Sequence, residues 1–449
     1  MPRSITIKPI TRIEGHASIH IQLDEQGNVE DTKVAFTSLR GFEKFVEGKP
    51  AEELPGIVSR ICGICPWMHH IASNKAVDAC FRVTPPRAGN LLRELMLTMA
   101  HIEDKLLHFF FLSGADFFFG PGYDYSVRNI MGLVKANPEL AGKVVKMRNK
   151  AKMVLDGFSH KTIHPVVGVP GGFAKPLSKE DRTIFIDNLT ELLDFSCFSM
   201  DYAKKEVFPK FEEFYPGLGD ITTGFISTVD SNGALNLYDG DIRLMKPDGT
   251  FTGFRPEDYL DHLAETTVPF SYGAFSYAKS WGEGFSLDHD AHRGIYRSNT
   301  LARINVADRI ATPKAGAELE AFRDRFGRPA QSTLLYHHAR LIEAIYACER
   351  ALELLKDPEI TSTDTRIKAD PSAGRGVGCV EAPRGTLIHD YSTDENGLIT
   401  RVNIIVGTTH NLAPINLSVG RAARDLIRNG GVDDHILNRI EMAVRAYDP

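Results

Sequence analysis

Cys62 and Cys65 stand three residues apart within Arg60-Ile61-Cys62-Gly63-Ile64-Cys65-Pro66-Trp67-Met68-His69-His70. Their spacing lets both sulfurs converge on one metal ion from a tight turn that leads into a helix. Gly63 permits the turn, and Pro66 suits the first turn of the helix. A thiolate pair selects soft or borderline metals: zinc, nickel, copper or iron. His69, four residues past Cys65, falls one helical turn further on the same face. The pair alone also fits half of a structural zinc site or a redox dithiol. A zinc site needs another close pair, and the chain has no second Cys-x-x-Cys. A dithiol needs a small strand–helix unit, which the surrounding pattern does not resemble.

The thiols must be held by the elements around them. Met68–Phe81 predicts one helix, and Pro85-Pro86 opens another that runs to about Phe111. The second is apolar on more than one side, as a helix buried in a bundle is. On it His101, Asp104 and His108 form a polar stripe, read either as a satisfied core network or as support for metal ligands. Residues 4–38 alternate apolar and polar around a Gln26-Gly27-Asn28 turn, which predicts a hairpin or small sheet. Arg12-Ile13-Glu14-Gly15-His16 interrupts it and Leu39-Arg40-Gly41-Phe42-Glu43 follows it; as isolated segments both read as solvated turns.

Residues 126–158 and 178–206 predict two more long helices, the first with a solvated basic face of Lys135, Lys143, Lys146, Arg148, Lys150 and Lys152. A loop rich in Gly, Pro and His, His160 to Phe173, separates them. Residues 215–300 read as short strands and loops, helices resume near 315–327 and 331–356, and 359–410 is β-like with a turn at Asp394-Glu395-Asn396-Gly397. Helices near 415–428 and 433–446 close the chain. Without a linker or repeat, the expectation is a single domain over 1–449, α-rich α+β in class: a large buried helical bundle with small peripheral β-sheets.

With 449 residues, 43% of them hydrophobic, the chain can bury a large core. A net charge of -6 gives no reason to expect a nucleic-acid partner. Six cysteines are too few for a disulfide framework and favour a reducing compartment. Met1-Pro2-Arg3-Ser4-Ile5 opens no signal-like apolar run, and the most apolar stretch, His108 to Gly120, carries Asp116 and is too short to span a bilayer. The expectation is a soluble, cytoplasmic protein with no membrane span.

Several separated stretches resemble one family. Arg12 to His16, Arg40 to Glu43, Arg60 to His69, Glu381-Ala382-Pro383-Arg384-Gly385 and Tyr447-Asp448-Pro449 are similar, in order, to the signature stretches of nickel–iron hydrogenase large subunits. Ile405-Val406-Gly407-Thr408-Thr409-His410-Asn411 and the run through Phe42-Glu43-Lys44-Phe45 look closer to the cytoplasmic methyl-viologen-reducing (deazaflavin-non-reducing) type.

The resemblance implies a catalytic role for the chain. Cys62 would be a terminal nickel ligand and Cys65 a thiolate bridging nickel and iron, with cyanide and carbon monoxide on iron. Arg384 would reach over the cluster to one cyanide, braced by Asp104 and Asp448. Pro383 would line the pocket, and Thr408 would hold the other cyanide. Glu14 would be the first proton relay from the terminal sulfur. His69 would donate toward a bridging sulfur. Glu43 and the Ile404 carbonyl would hold magnesium or iron at a second site. These residue types suit the chemistry, because heterolytic cleavage of dihydrogen leaves a proton that needs a base, and a fixed guanidinium supplies preorganised charge.

One departure stands out. In the family, a second cysteine pair and a histidine follow Asp-Pro directly, and here Asp448-Pro449 is the last dipeptide. None of Cys80, Cys197, Cys348 or Cys379 lies in a comparable motif. The third cysteine is selenocysteine in nickel–iron–selenium members. The expectation is therefore a selenocysteine codon read as a stop, or a separate short peptide that completes the site. The alternative is a metal-free, hydrogenase-derived scaffold of an electron-transfer complex. An iron–sulfur cluster needs about four thiolates of its own. A partner subunit is therefore expected to carry the electron relay, and the resemblance implies an iron–sulfur small subunit, with a further electron-transfer subunit feeding a heterodisulfide reductase.

Overall fold

A computed structural model describes residues 4–38, 40–120, 123–159, 161 and 163–449, apart from the side chains of Tyr125 and Phe158. Leu39, His160 and Met1 to Arg3 lie outside the described residues. The apolar run of helical period becomes the centre of the molecule. Pro66–Phe81 forms helix α1 and Arg87–Leu107 forms helix α2. Leu92, Leu95, Met96, Leu97 and Ile102 on α2 are fully buried, each side chain stabilising the fold by about 2 kcal/mol. The helix ends in a π-helical turn, His108–Leu112.

Helix α3 (Pro138–Ser159) corrects the expected single helix over 126–158, because Ile130–Ala136 is a separate short helix. Pro138 disfavours helical backbone at Asn137, and Asn137 Oδ1 instead accepts the Leu140 N–H at 3.0 Å. Nor is the basic face simply solvated. Arg148 pairs with Glu103 of α2, and Lys150 donates to Glu191 and Asn188 of helix α4 (Lys179–Glu206). Helix α5 (Leu335–Lys356) packs on both α2 and α4.

Small sheets flank the bundle. Ser4–Ile7 (β1), Ala17–Leu23 (β2) and Val29–Phe36 (β3) form an antiparallel sheet at the start of the chain. Residues 224–297 contribute a four-stranded sheet, and Gly374–Ala382 (β4), Gly385–Thr393 (β5) and Ile399–Ile405 (β6) a three-stranded one. Strand β4 lies directly on α1. A side chain at Gly376 or Gly378 would overlap the backbone carbonyls of Ala76 or Ala72, so glycine is required for the close approach. Helices α6 (Leu412–Leu426) and α7 (Asp434–Ala446) follow. The Pro449 carbonyl then accepts the Glu14 N–H at 2.9 Å, tying the end of the described chain to the break between β1 and β2. The architecture is the expected α-rich α+β bundle with small sheets. Among the described residues, no helix is long and apolar enough to cross a membrane.

Candidate metal centre

The turn before α1 delivers both cysteines to one cavity. Ser59–Ile61 makes a 3-10 turn, Cys62 is extended, and Pro66 starts the helix. The Cys65 N–H donates to Cys62 Sγ at 3.0 Å. The sulfurs are bonded to each other across Cα atoms 5.5 Å apart, which places both at one point of the cavity wall. The cavity has a volume of about 300 Å³, and Glu14, Cys62, Cys65, His69, Arg384 and Thr408 are in its wall.

Glu14 reaches the cavity from the break between β1 and β2. Its Oε1 accepts the Gly63 N–H at 2.9 Å and lies 3.9 Å from Cys62 Sγ. The segment is thus not the solvated turn it resembles in isolation. Arg12 pairs with buried Asp116 at 2.6 Å and anchors it; His16 is exposed.

Arg384 sits where β4 turns into β5. Its Nε donates to the Asp448 carbonyl at 2.8 Å and its Nη2 to the Asp448 carboxylate at 3.0 Å. Nη2 also faces Asp104 Oδ1 at 3.1 Å. Burial works against the guanidinium charge, but Asp104 and Asp448 more than offset it and hold the pKa above its ordinary value. Burial likewise raises the Asp104 carboxyl, against the pull of Arg384. The other members of the α2 stripe serve the same neighbourhood, His101 Nε2 lying 2.8 Å from the Glu381 carbonyl and His108 Nε2 2.9 Å from that of Arg445.

Arg303, fully buried, clamps the strand end that carries Arg384. It pairs with Glu343 at 2.6 Å and Glu381 at 2.7 Å, and donates to the carbonyls of Ala382 at 2.9 Å and Pro383 at 3.0 Å. Ala382 and Arg384, on either side of Pro383, border the cavity here.

Glu43 and Ile404 border the same cavity. Between them stands Arg40, whose Nε donates to Glu43 Oε1 at 2.6 Å and whose Nη2 reaches the Ile404 carbonyl at 3.4 Å. This guanidinium bridges the two expected donors. Among the described residues, no group of three or more His, Cys, Asp or Glu is arranged to hold a metal ion.

Among the described residues that line the cavity, three atoms, Glu14 Oε2, His69 Nε2 and Arg384 Nη1, are buried without hydrogen-bond partners. Unmet polar atoms of this kind cost about 1–3 kcal/mol each. Donors, an acceptor and two soft sulfurs on one wall fit a metal centre that carries hydrogen-bonding ligands. The remaining cysteines do not contribute. Burial pushes the Cys80 thiol up to about 11 and that of Cys348 to about 12, and neither these nor Cys197 and Cys379 line the cavity. Sequence reasoning missed Arg40 as a bridge, Arg303 as a clamp, and a file of polar groups behind His69. An arginine inside the apolar run Leu301-Ala302-Arg303-Ile304 was the available signal for the clamp.

The family described as nickel-dependent hydrogenase matches residues 40–147 and 299–449, and that described as HoxL-like matches residues 4–39. The chain belongs to the nickel-dependent hydrogenase family. Such hydrogenases are oxidoreductases acting on dihydrogen, and the matched stretches hold Glu14, Glu43, Cys62, Cys65, Asp104, Arg384 and Asp448. Relatives of this hydrogenase chain include a vhu subunit of the F420-non-reducing hydrogenase of Methanococcus voltae, 43% identical, with 95% of this chain and 99% of that protein covered. The beta subunit of the NAD-reducing hydrogenase HoxS of Cupriavidus necator is 34% identical, with 100% and 94% covered. A crystal structure of an NAD+-reducing NiFe hydrogenase in the H2-reduced state matches with a TM-score of 0.93 and 36% identity, over 100% of this chain and 98% of that one. A Ni-Fe-Se hydrogenase from D. vulgaris Hildenborough, at 21% identity and a TM-score of 0.74 over 100% and 98%, shares the fold.

Proposed function

We propose that this chain is the large subunit of a nickel–iron, or nickel–iron–selenium, hydrogenase that cleaves dihydrogen reversibly and passes the electrons to an iron–sulfur partner. The observation that carries the reading is the convergence of Cys62, Cys65, Glu14 and Arg384 on one cavity. Cys62 would bind nickel terminally and Cys65 would bridge nickel and iron. Two further thiolate or selenolate ligands would complete the centre. Pro449 borders the cavity as well.

When bound, the nickel–iron centre, with cyanide and carbon monoxide on iron, supplies the heterolytic cleavage of dihydrogen. The chain's own residues handle charge and protons around it. Glu14 Oε1 is held by Gly63, which leaves Oε2 to receive a proton from the Cys62 sulfur. Arg384 keeps a positive charge fixed over the site, with Nη1 available to one cyanide while Asp104 and Asp448 hold the rest of the fork. The Thr408 hydroxyl would hold the second cyanide, and His69 would donate toward a ligand thiolate. Glu43 and the Ile404 carbonyl are oxygen donors suited to magnesium or iron, with Arg40 as the competing cation.

Electrons pass to an iron–sulfur small subunit, then onward through a further subunit feeding a heterodisulfide reductase, in a cytoplasmic complex. The test is nickel and iron analysis of the purified complex, with infrared spectroscopy for carbonyl and cyanide bands and hydrogen-dependent dye reduction. Cys65→Ser abolishes all of these. A wild-type complex without nickel or bands overturns the reading in favour of a metal-free scaffold.

A further inference from the structure

Behind His69 lies a file of buried polar groups that the chemistry above does not use. His69 Nδ1 is 3.1 Å from His389 Nε2, His389 Nδ1 is 2.5 Å from the Tyr391 hydroxyl, and that hydroxyl is 3.0 Å from Ser73 Oγ. The register explains the file. His389 and Tyr391 are two apart on β5 and so share a face; His69 and Ser73 are one turn apart on α1, which packs on that strand. All four residues are buried. Burial keeps both imidazoles neutral, pushing His69 down to about 3 and His389 well below its ordinary value.

A neutral imidazole has one N–H donor and one acceptor nitrogen, so the choice at one end of the file decides every bond in it. If the phenol hydrogen goes to Ser73 Oγ, Tyr391 accepts from His389 Nδ1–H, His389 Nε2 accepts from His69 Nδ1–H, and His69 Nε2 is bare. If it turns to His389 Nδ1, His389 Nε2–H donates to His69 Nδ1, and the His69 proton sits on Nε2. That Nε2 is the buried atom without a partner on a residue that lines the cavity with Cys65.

We propose that Tyr391 is a positioning residue: by donating to His389 it selects, through His389, the His69 tautomer that presents Nε2–H to the ligand thiolates, with Ser73 as the competing acceptor. This rests on the nickel–iron reading above. A donor there withdraws electron density from a thiolate, and a bare nitrogen would repel it.

The test compares infrared carbonyl and cyanide bands of the loaded wild-type complex with those of Tyr391→Phe and Ser73→Ala. Tyr391→Phe keeps the ring and frees His389 to take either tautomer, so the bands shift or double. Ser73→Ala removes the competing acceptor, so the bands stay at their wild-type positions. If Tyr391→Phe does not fold, Tyr391→3-fluorotyrosine, a stronger donor of nearly the same shape, shifts the bands instead. Unchanged bands in whichever Tyr391 variant is read overturn the proposal. So does a Ser73→Ala shift matching that of Tyr391→Phe, which would mark a packing role alone. A wild-type complex with no such bands overturns the nickel–iron reading and this inference with it.

Discussion

Arg384 holds Asp448 at two points, the backbone carbonyl at 2.8 Å and the carboxylate at 3.0 Å. Asp104 faces the same guanidinium nitrogen at 3.1 Å, so the fork is fixed while Nη1 remains without a partner. An ammonium cannot reproduce that planar geometry. Arg384→Lys is therefore expected to retain nickel and iron yet lose hydrogen oxidation by roughly 10²-fold, the scale of removing one preorganised charge donor. Metal analysis beside turnover measures it, and near-normal turnover would remove the assigned role.

Glu14 meets Gly63 through one oxygen and has the other free. A glutamine keeps the carbonyl that Gly63 needs but cannot carry the proton. Glu14→Gln should preserve metal content and slow hydrogen–deuterium exchange by about 10²-fold or more. Exchange at the wild-type rate would exclude Glu14 from the proton route.

Buried His70 has both ring nitrogens in use, Nδ1 at 2.9 Å from the Pro55 carbonyl and Nε2 accepting from Gly168 at 3.0 Å. Burial depresses its pKa from 6.5 to about 4. Between those values the unfolded chain binds a proton that the folded chain does not, so stability falls as pH drops from 6.5 toward 4, by roughly 3 kcal/mol in all. Denaturant midpoints across that range should fall less steeply with acid for His70→Gln, by one proton's worth.

Gly378 lets β4 lie against α1, the helix that begins beside Cys65. Gly378→Ala places a methyl group on the Ala72 carbonyl and should cost about 1–3 kcal/mol. Thermal unfolding would show the loss, and nickel content should fall as the helix is displaced. An unchanged melting temperature would mean the contact relaxes freely.

The helical bundle and the thiol turn were legible because their signals are local. Apolar periodicity places α2 in the core, and Gly63 and Pro66 shape the turn whatever else the chain does. The break at Asn137-Pro138 is equally local, but the long basic run around it masks the signal. Arg12 and Glu14 were different: only a distant partner separates a solvated turn from a catalytic one. The resemblance named those residues without showing what holds them.

By itself, then, the sequence determined a buried bundle with a pair of thiols at the mouth of a helix, since hydrophobic period and residue spacing act over a few residues. Tertiary structure alone decided that Glu14 meets Gly63, that Arg384 is gripped by Asp448, and that Arg40 lies between Glu43 and Ile404. Those pairings join segments far apart in the chain, and their strength comes from the loss of water around them, which no local pattern encodes.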